Sequence, residues 1–266
     1  DVLREVETLA SKGYKEVVLT GIHLSSYGVD FSKEERESLL SLIQAVSKVA
    51  GIQRIRLGSL EPRIITEEFL EGIVATGKVC PHFHLSLQSG CDGVLKRMNR
   101  RYTTEEFARS VEILRRVYEH PAITTDVITG FPGETEEEFA PTVSYLEKIR
   151  FFEMHVFPYS RREGTVAADM PGQLTEKEKK QRSSVLLAMT ARHSKEYREY
   201  YIGKEQEVLF EQCHEIEGRQ YLTGHTRNYV RVAVPVEGID PAEMTNQERI
   251  CCLTGFADDE TLLGTY

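Results

Sequence analysis

Imidazole, hydroxyl and carboxamide side chains share one face of the segment 82–88. Polar and apolar residues alternate there, as in a strand with one buried face, and the polar set is His82, His84, Ser86 and Gln88. These groups can form hydrogen bonds with a polar ligand. A Gly-rich turn and the basic sequence Asn-Arg-Arg-Tyr follow, so polar and cationic groups meet at the carboxyl end of the strand. In repeated strand and helix units, ligands bind at that end.

Three further candidates stand in turns that follow predicted strands. Glu61 can accept hydrogen bonds from an amine or a ribose hydroxyl, and Arg101 can bind a carboxylate through paired hydrogen bonds. Gly130 lets the backbone approach a ligand closely, just before an electropositive helix amino terminus. Each has a plainer interpretation, namely an exposed loop glutamate, an arginine in solvent and an ordinary turn.

Two ionisable residues, Asp126 and His155, are predicted to face inward from neighbouring strands. They either contact a substrate or form a hydrogen bond with each other. The segment from Phe157 to Tyr159 follows the second of these strands. It offers backbone groups and an aromatic face to an adenine ring, or else it packs in the core.

The cysteines and histidines do not follow a metal-binding pattern. Cys80, His82, His84 and Cys91 lie near one another in the sequence, but structural zinc sites show tighter Cys and His pairs. A nucleophilic Cys91 would need a base and a third group that orients this base, and the sequence marks no such group. We therefore predict no metal site and no catalytic residue in this chain. The five cysteines include no CxxC pair and are predicted to be reduced thiols in a cytoplasmic protein.

The composition is that of a globular protein in which any nucleic-acid binding is local. The chain has 266 residues and a formal net charge of -9, which argues against nucleic-acid binding over the whole surface. Its apolar runs have the length of strands, so we predict no membrane span and no secretory signal. The first residues look like a helix already under way, as if the chain began inside a domain. Charge runs at 34–37 and 134–138 are predicted to be solvated helix starts.

Strands and helices are predicted to alternate up to residue 158. This order requires a parallel sheet with right-handed crossovers, and the strands are expected at 16–21, 54–59, 82–88, 122–130 and 152–158. Polar residues such as Arg54, Arg56 and Glu153 occupy faces where a closed eight-stranded barrel holds branched apolar side chains. We therefore predict an α/β fold with an incomplete parallel βα barrel around a polar interior. A doubly wound sheet is the alternative.

The pattern changes after residue 174. A long basic helix is predicted at 175–201, and five short β-type segments typical of a small β-barrel follow it. We predict two domains, 1–201 and 202–266. The second holds five Lys and Arg against twelve Asp and Glu, so its formal charge is -7. It nevertheless contains a cluster that is able to bind phosphate and stack on a base: His225, Arg227, Asn228, Tyr229 and Arg231.

Six motifs occur along the chain in the order VVLTGIHLSSYG, SLEP, HLSLQSGCDGVLKRMNRRYT, TDVITGFPGETEEEF, FPYSRREGTVAADM and GHTRNYVRVAV. In this combination the chain resembles the radical S-adenosylmethionine (SAM) methylthiotransferases over nearly its whole length. TGIHLSSYG and QSGCD are most similar to the MtaB branch, which modifies threonylcarbamoyladenosine beside the anticodon of tRNA. The resemblance implies a partial βα barrel followed by an RNA-binding TRAM domain. It also implies SAM and two 4Fe-4S clusters as cofactors of the intact enzyme, and tRNA as the partner. The sequence does not determine the oligomeric state, and we expect a monomer.

The resemblance further implies roles for individual residues. Those implied for SAM binding are Gly21, Glu61, Ser86, Gln88, Arg101, Gly130, Phe157 and Tyr159. Those implied for substrate binding are Asp126, His155, Arg227, Asn228, Tyr229 and Arg231.

The departure from the family pattern concerns the cluster ligands. The family's CxxxCxxC loop and its amino-terminal domain are missing from this sequence, and five scattered cysteines cannot supply closely placed thiolates. We therefore expect this chain to be a fragment that does not catalyse the reaction alone. The alternatives are a sister branch acting on isopentenyladenosine in tRNA or on a ribosomal protein, and a non-catalytic RNA-binding module.

Overall fold

A computed structural model describes residues 1–31, 37–238 and 240–266. Contacts divide the chain into two compact units. The first unit comprises Asp1–Gly58, Glu71–His82 and Ser194–Tyr266, and the second comprises Ser59–Leu70 and Phe83–His193. Among the described residues, no helix is both long enough and apolar enough to cross a membrane. The predicted charge run at 34–37 falls, except for its last residue, outside the described residues.

Strands and helices alternate as the sequence predicts. The strands are β1 Glu16–Leu19, β2 Arg54–Leu57, β3 His82–His84, β4 Ala122–Thr129 and β5 Glu153–Pro158. The helices are α1 Val2–Ser11, α2 Leu39–Ser47, α3 Glu67–Val74, α4 Asp92–Arg97, α5 Thr104–Val117, α6 Glu136–Ile149, α7 Val166–Asp169 and α8 Glu176–Glu199. β1 pairs with β2 in parallel, and β3, β4 and β5 form a second sheet in which β4 and β5 are parallel.

Local sequence signals explain where the helices begin. Thr103 accepts a hydrogen bond from the Glu106 amide at 3.2 Å, and the Glu106 carboxylate accepts one from the Thr103 amide at 2.8 Å. This reciprocal capping satisfies two amides that would otherwise lack partners at the start of α5. Apolar stripes direct one face of helices such as α2 and α5 inward, and the apolar residues Phe83, Leu85 and Leu87 are fully buried, as the alternation predicts.

The carboxyl-terminal strands form a closed five-stranded barrel. They are β6 Glu205–Ile216, β7 Arg219–Thr226, β8 Arg231–Pro235, β9 Glu248–Phe256 and β10 Thr261–Thr265, with the short helix α9 Pro241–Met244 between β8 and β9. The strand order around the barrel is β10-β8-β7-β6-β9. The prediction of a small all-β structure at this end is confirmed. The predicted domain boundary at 201/202 stays a prediction, because the division by contacts groups segments that are distant along the chain.

Two arginines that were predicted to line an open polar interior have protein partners instead. Arg54 is fully buried in the first unit, where it forms an ion pair with Glu248 and donates to the carbonyl oxygens of His225 at 2.9 Å and Glu207 at 3.2 Å. Arg56 is buried beside it and donates to both carboxylate oxygens of Glu16, at 2.9 and 3.1 Å. Burial of these guanidinium groups is tolerated because carboxylates and carbonyl groups satisfy them.

Glu134 also differs from its prediction as part of a solvated charge run. Its side chain is buried, accepts a hydrogen bond from the Gly130 amide at 2.8 Å and pairs with Arg182 at 2.6 Å. Burial raises the pKa of this carboxyl above its usual value, against the opposing effect of these two donors. Glu136 and Glu137, by contrast, are exposed in the first turn of α6, as predicted.

Candidate functional site

A cavity of about 500 Å³ opens in the second unit at the carboxyl-terminal half of β4 and β5. Its size is in the range of small-molecule sites. Among its lining residues are Gln88, Asp126, Phe157, Tyr159, Ser160 and Arg162. The structure thus brings together four of the residues singled out in the sequence, Gln88, Asp126, Phe157 and Tyr159. The mixture of carboxamide, carboxylate, guanidinium and aromatic groups suits a ligand with both a planar ring and charged ends.

Gln88 enters this cavity from a strained backbone. Its φ of 71° lies in the left-handed region, which side chains other than glycine rarely adopt. Two backbone hydrogen bonds maintain the conformation, because the Gln88 amide donates to the Asp126 carbonyl at 2.8 Å and its carbonyl accepts from the Ile128 amide at 2.9 Å. Strain that is supported in this way is typical of functional positions.

The buried phenol of Tyr102 supports the same stretch of chain. Its hydroxyl donates to the carbonyl oxygens of Ser86 at 2.7 Å and Leu87 at 3.1 Å. Burial raises the pKa of Tyr102 to about 12, so the phenol remains a hydrogen-bond donor at any physiological pH. The sequence analysis missed this residue, although Tyr102 belongs to the Asn-Arg-Arg-Tyr motif that follows the strand.

Three ionisable groups meet on neighbouring strands at the edge of the cavity. Asp126 and His155 are direct partners in the β4 and β5 register, and His84 projects from β3. The Nε2 atom of His84 lies 3.4 Å from Oδ2 of Asp126, and the rings of His84 and His155 are stacked with centroids 5.8 Å apart. The imidazole of His84 lowers the pKa of the Asp126 carboxyl below its usual value, against the opposing effect of burial.

The other residues predicted to bind SAM do not line this cavity. Gly21, Glu61 and Arg101 are exposed, and Gly21 belongs to the first unit. Ser86 is half-buried, and its carbonyl oxygen accepts the Tyr102 hydroxyl. Roles for these four residues in ligand binding stay predictions.

Gly130 is buried, and its amide already has a partner inside the protein. It adopts a φ of 70°, its amide donates to Glu134, and a Cβ atom at this position would lie 2.6 Å from Cγ of Lys179. Glycine is therefore required here by the close approach of Lys179. The ammonium group of the same lysine lies 5.5 Å from the centre of the Tyr159 ring, which is itself packed edge-on against Phe131.

The predicted RNA-contact residues of the β7–β8 turn have partners within the first unit. The guanidinium of Arg227 donates to the carbonyl oxygen of Gly77 at 2.9 Å, and the side-chain Nδ2 of Asn228 donates to the Tyr197 hydroxyl at 3.3 Å. Arg231 is half-buried. These contacts fix the turn. No local sequence pattern indicates them, because both partners are distant along the chain.

Tyr229 lies at the centre of an aromatic stack. Its ring stacks with His82, at 4.8 Å, and with His225, at 4.6 Å, and the Arg56 guanidinium lies over it at 4.6 Å from its centroid. Its φ of 65° is left-handed, and 42% of the residue remains exposed. Tyr229 thus retains a free surface, although its ring already has three neighbours.

The cysteines do not assemble a cluster site. Within the described ranges, the one group of three or more potential metal ligands that lie close together is His84, Asp126 and His155, and it contains no thiolate. Cys80 and Cys251 are buried as free thiols, and burial raises the pKa of each. The five cysteines therefore do not fit a 4Fe-4S cluster, which needs closely placed sulfur ligands.

The parallel strand and helix repeat with ligand groups at its carboxyl end defines an incomplete βα barrel. Solved structures share this fold. Coproporphyrinogen III oxidase (HemN) of Escherichia coli superposes with a TM-score of 0.55 at 17% identity, covering 72% of this chain and 44% of that protein. Methylornithine synthase (PylB) superposes with a TM-score of 0.50 at 12% identity, covering 72% and 53%.

The sequence profile of the radical SAM superfamily matches residues 1–146. The chain belongs to this superfamily. It is 41% identical over 233 residues to the threonylcarbamoyladenosine tRNA methylthiotransferase MtaB of Bacillus subtilis, covering 87% of this chain and 51% of that protein. It is 40% identical over 210 residues to the tRNA-2-methylthio-N(6)-dimethylallyladenosine synthase of Pelotomaculum thermopropionicum, covering 79% and 46%. The chain thus spans about half the length of the curated relatives that it matches.

Proposed function

We propose that this protein is a cytoplasmic tRNA methylthiotransferase that adds a methylthio group to threonylcarbamoyladenosine. The observation that carries the proposal is the 41% identity to the Bacillus subtilis enzyme over 87% of the chain. The cavity at the carboxyl end of β4 and β5 supports it, since polar and aromatic groups converge there as a nucleoside requires.

The residues around the cavity suit S-adenosylmethionine and a modified adenine. Tyr159 and Phe157 offer aromatic surface, while the Gln88 carboxamide and the Asp126 carboxylate offer hydrogen-bond partners to hydroxyl and amino groups. When bound, SAM supplies the radical chemistry of the superfamily. The cysteines of this chain do not fit a cluster.

Binding of tRNA is assigned to local cationic groups. The segment 202–266 carries a formal charge of -7, so contact with RNA requires a small positive patch. Arg231 offers positive charge beside the β7–β8 turn, and the exposed part of Tyr229 offers a ring on which a base can stack. The lysines and arginines of α8 are a second group of cationic residues proposed to contact RNA. Arg227 and Asn228 are proposed to position this turn, because their side chains bind within the first unit.

Deletion of the gene in its host tests the activity. Mass spectrometry of digested tRNA is expected to show loss of the methylthio group from threonylcarbamoyladenosine, with the methylthio group on dimethylallyladenosine unchanged. The opposite pattern would favour the sister branch, which the 40% identity to the Pelotomaculum enzyme makes the second candidate. Unchanged nucleosides would contradict both activities and favour a non-catalytic RNA-binding module.

Complementation of this deletion tests the cavity. A gene carrying Gln88→Ala is expected to restore at most about a tenth of the modification, because Gln88 projects into the site. Gln181→Ala is the matched control, since Gln181 is exposed on α8. Full restoration of the modification by the Gln88 variant would show that the activity does not depend on this cavity residue.

Binding to a tRNA anticodon stem-loop tests the proposed RNA contact. Arg231→Glu is expected to weaken binding at least tenfold, whereas Arg249→Glu makes the same charge change at an exposed position of the same β-barrel and is expected to have a much smaller effect. Equal effects of the two variants would show that only net charge matters.

A further inference from the structure

The cluster of His84, Asp126 and His155 in the second unit has a geometry that goes beyond the proposed function. Each residue offers one ligand atom, and these atoms all lie within 4.8 Å of one another. The three residues come from three neighbouring strands of one sheet, so the register of the sheet fixes their spacing. Two imidazoles and one carboxylate are a donor set that divalent transition metals prefer.

The separation of His84 and Asp126 is suited to an ion between the two groups. The 3.4 Å from His84 Nε2 to Asp126 Oδ2 exceeds the roughly 2.7–2.9 Å of a hydrogen bond between a cationic donor and a carboxylate. Two ligand atoms, each about 2.1 Å from a tetrahedral ion, lie about 3.4 Å apart. The pair is therefore spaced as two ligands of one metal would be.

The other ring nitrogen of His84 also has a polar partner. His84 Nδ1 lies 3.0 Å from the hydroxyl oxygen of Thr124, which is buried. When Nδ1 carries the proton and donates it to this hydroxyl, Nε2 is unprotonated and its lone pair is directed toward Asp126. Metal-binding histidines are commonly oriented by such a second hydrogen bond.

The three side chains are exposed enough for an external ligand to reach an ion that they bind. The side chains of His84 and Asp126 are 15% and 30% exposed, His155 is exposed, and Asp126 also lines the cavity. An ion with three protein ligands keeps at least one open position, as catalytic and ligand-binding metal sites do. One charge opposes binding, because Arg100 is near enough to Asp126 to contribute to its lowered pKa.

We propose that His84, Asp126 and His155 form a site for a divalent transition metal of the zinc, cobalt or iron kind, with an open position toward the cavity. The donor set excludes a preference for magnesium or calcium, which take oxygen ligands. The open position would bind water or an anionic group of a ligand in the cavity. The proposal does not depend on the methylthiotransferase activity, since it rests on the three side chains alone.

Titration of the chelator-treated chain with Co²⁺ tests the site directly. We expect one equivalent to bind with saturable visible ligand-field bands, and Zn²⁺ to displace it. Asp126→Asn and His155→Gln are expected to weaken Co²⁺ binding at least tenfold. His214→Gln is the control, because it removes an imidazole from β6 in the other unit.

Absence of a saturable Co²⁺ complex in the unsubstituted chain would overturn the proposal. So would unchanged affinity in both cluster variants, or an equal loss in the His214 variant. If a cluster variant fails to fold, proton NMR of the unsubstituted Co²⁺ complex decides. Shifted imidazole resonances from two histidines are expected, and resonances from one histidine or none would contradict the site.

Discussion

At the scale of single residues, Tyr102 supports the segment that leads into Gln88, which lines the cavity. Its hydroxyl binds two consecutive carbonyl oxygens just before the strained Gln88. Tyr102→Phe removes the donor and leaves both buried carbonyl groups with one partner fewer, so we expect a loss of about 1–2 kcal/mol in the free energy of unfolding. Chemical denaturation measures it, and an unchanged midpoint would show that the two hydrogen bonds add no net stability.

The same phenol predicts a dependence on alkaline pH. The pKa of Tyr102 is raised from 10.0 to about 12, so the unfolded chain releases this proton at lower pH than the folded chain. Stability therefore falls as the pH rises from about 10 to about 12. Tyr102→Phe is expected to make this fall shallower, while Tyr266, whose pKa is also raised to about 12, continues to contribute. Denaturant midpoints measured across this range give the comparison.

Gly224 illustrates a position where the backbone leaves no space for a side chain. A Cβ atom there would lie 2.1 Å from the carbonyl oxygen of Leu209 and 2.7 Å from Cα of Phe210. We expect Gly224→Ala to cost at least about 3 kcal/mol, since backbone atoms would have to move. Gly255→Ala is the control in the same β-barrel, because nothing lies within 4 Å of its added Cβ atom. Equal thermal midpoints for the two variants would contradict this account.

At the scale of elements, Arg54 connects β2 with the strands of the β-barrel inside the first unit. Its guanidinium pairs with Glu248 and binds two carbonyl oxygens. Arg54→Met leaves a largely buried carboxylate without its partner, and we expect a loss of about 3–5 kcal/mol. Arg4→Met breaks an exposed pair with Asp1 and is expected to cost less than about 1 kcal/mol. Urea denaturation of both variants tests the difference, and similar costs would mean that Arg54 is not stabilised by its partners.

Local signals were sufficient to predict the elements. Alternation predicted a strand at 82–88, of which β3 forms the first three residues, and capping boxes at Thr103 and Thr135 stand at the starts of α5 and α6. The partners of buried charges were not predictable in the same way. Arg54 and Glu248 are 194 residues apart, and Glu134 and Arg182 are 48 apart. The sequence pattern placed Arg54 on an inward face but predicted Glu134 to be solvated, and it identified the neutralising group of neither residue.

The candidate site was partly predictable for the same reason. Gln88, Asp126 and Tyr159 were placed at one end of the parallel strands because the fold class determines where those ends meet. That His84 would join Asp126 and His155 depends on the register between three strands, which the alternation of residues leaves open. Single positions could be proposed from the sequence, whereas their grouping required coordinates.

At the scale of the whole molecule, the charge balance limits how nucleic acid can bind. The chain carries 33 Lys and Arg against 42 Asp and Glu, so few phosphates can be neutralised at once. We expect the logarithm of the tRNA binding constant to fall with the logarithm of salt concentration with a slope no steeper than about -4, which corresponds to roughly four to six contacts. Fluorescence anisotropy at several salt concentrations measures the slope. A slope near -8 would indicate an extended positive track that the composition does not provide.

The ring of five strands at the carboxyl end also affects solubility. Each strand has a hydrogen-bonded neighbour on both sides, so none presents a free row of amide and carbonyl groups on which a strand from another molecule could dock. Edge-to-edge aggregation, the usual hazard of an isolated sheet, therefore requires this ring to open first.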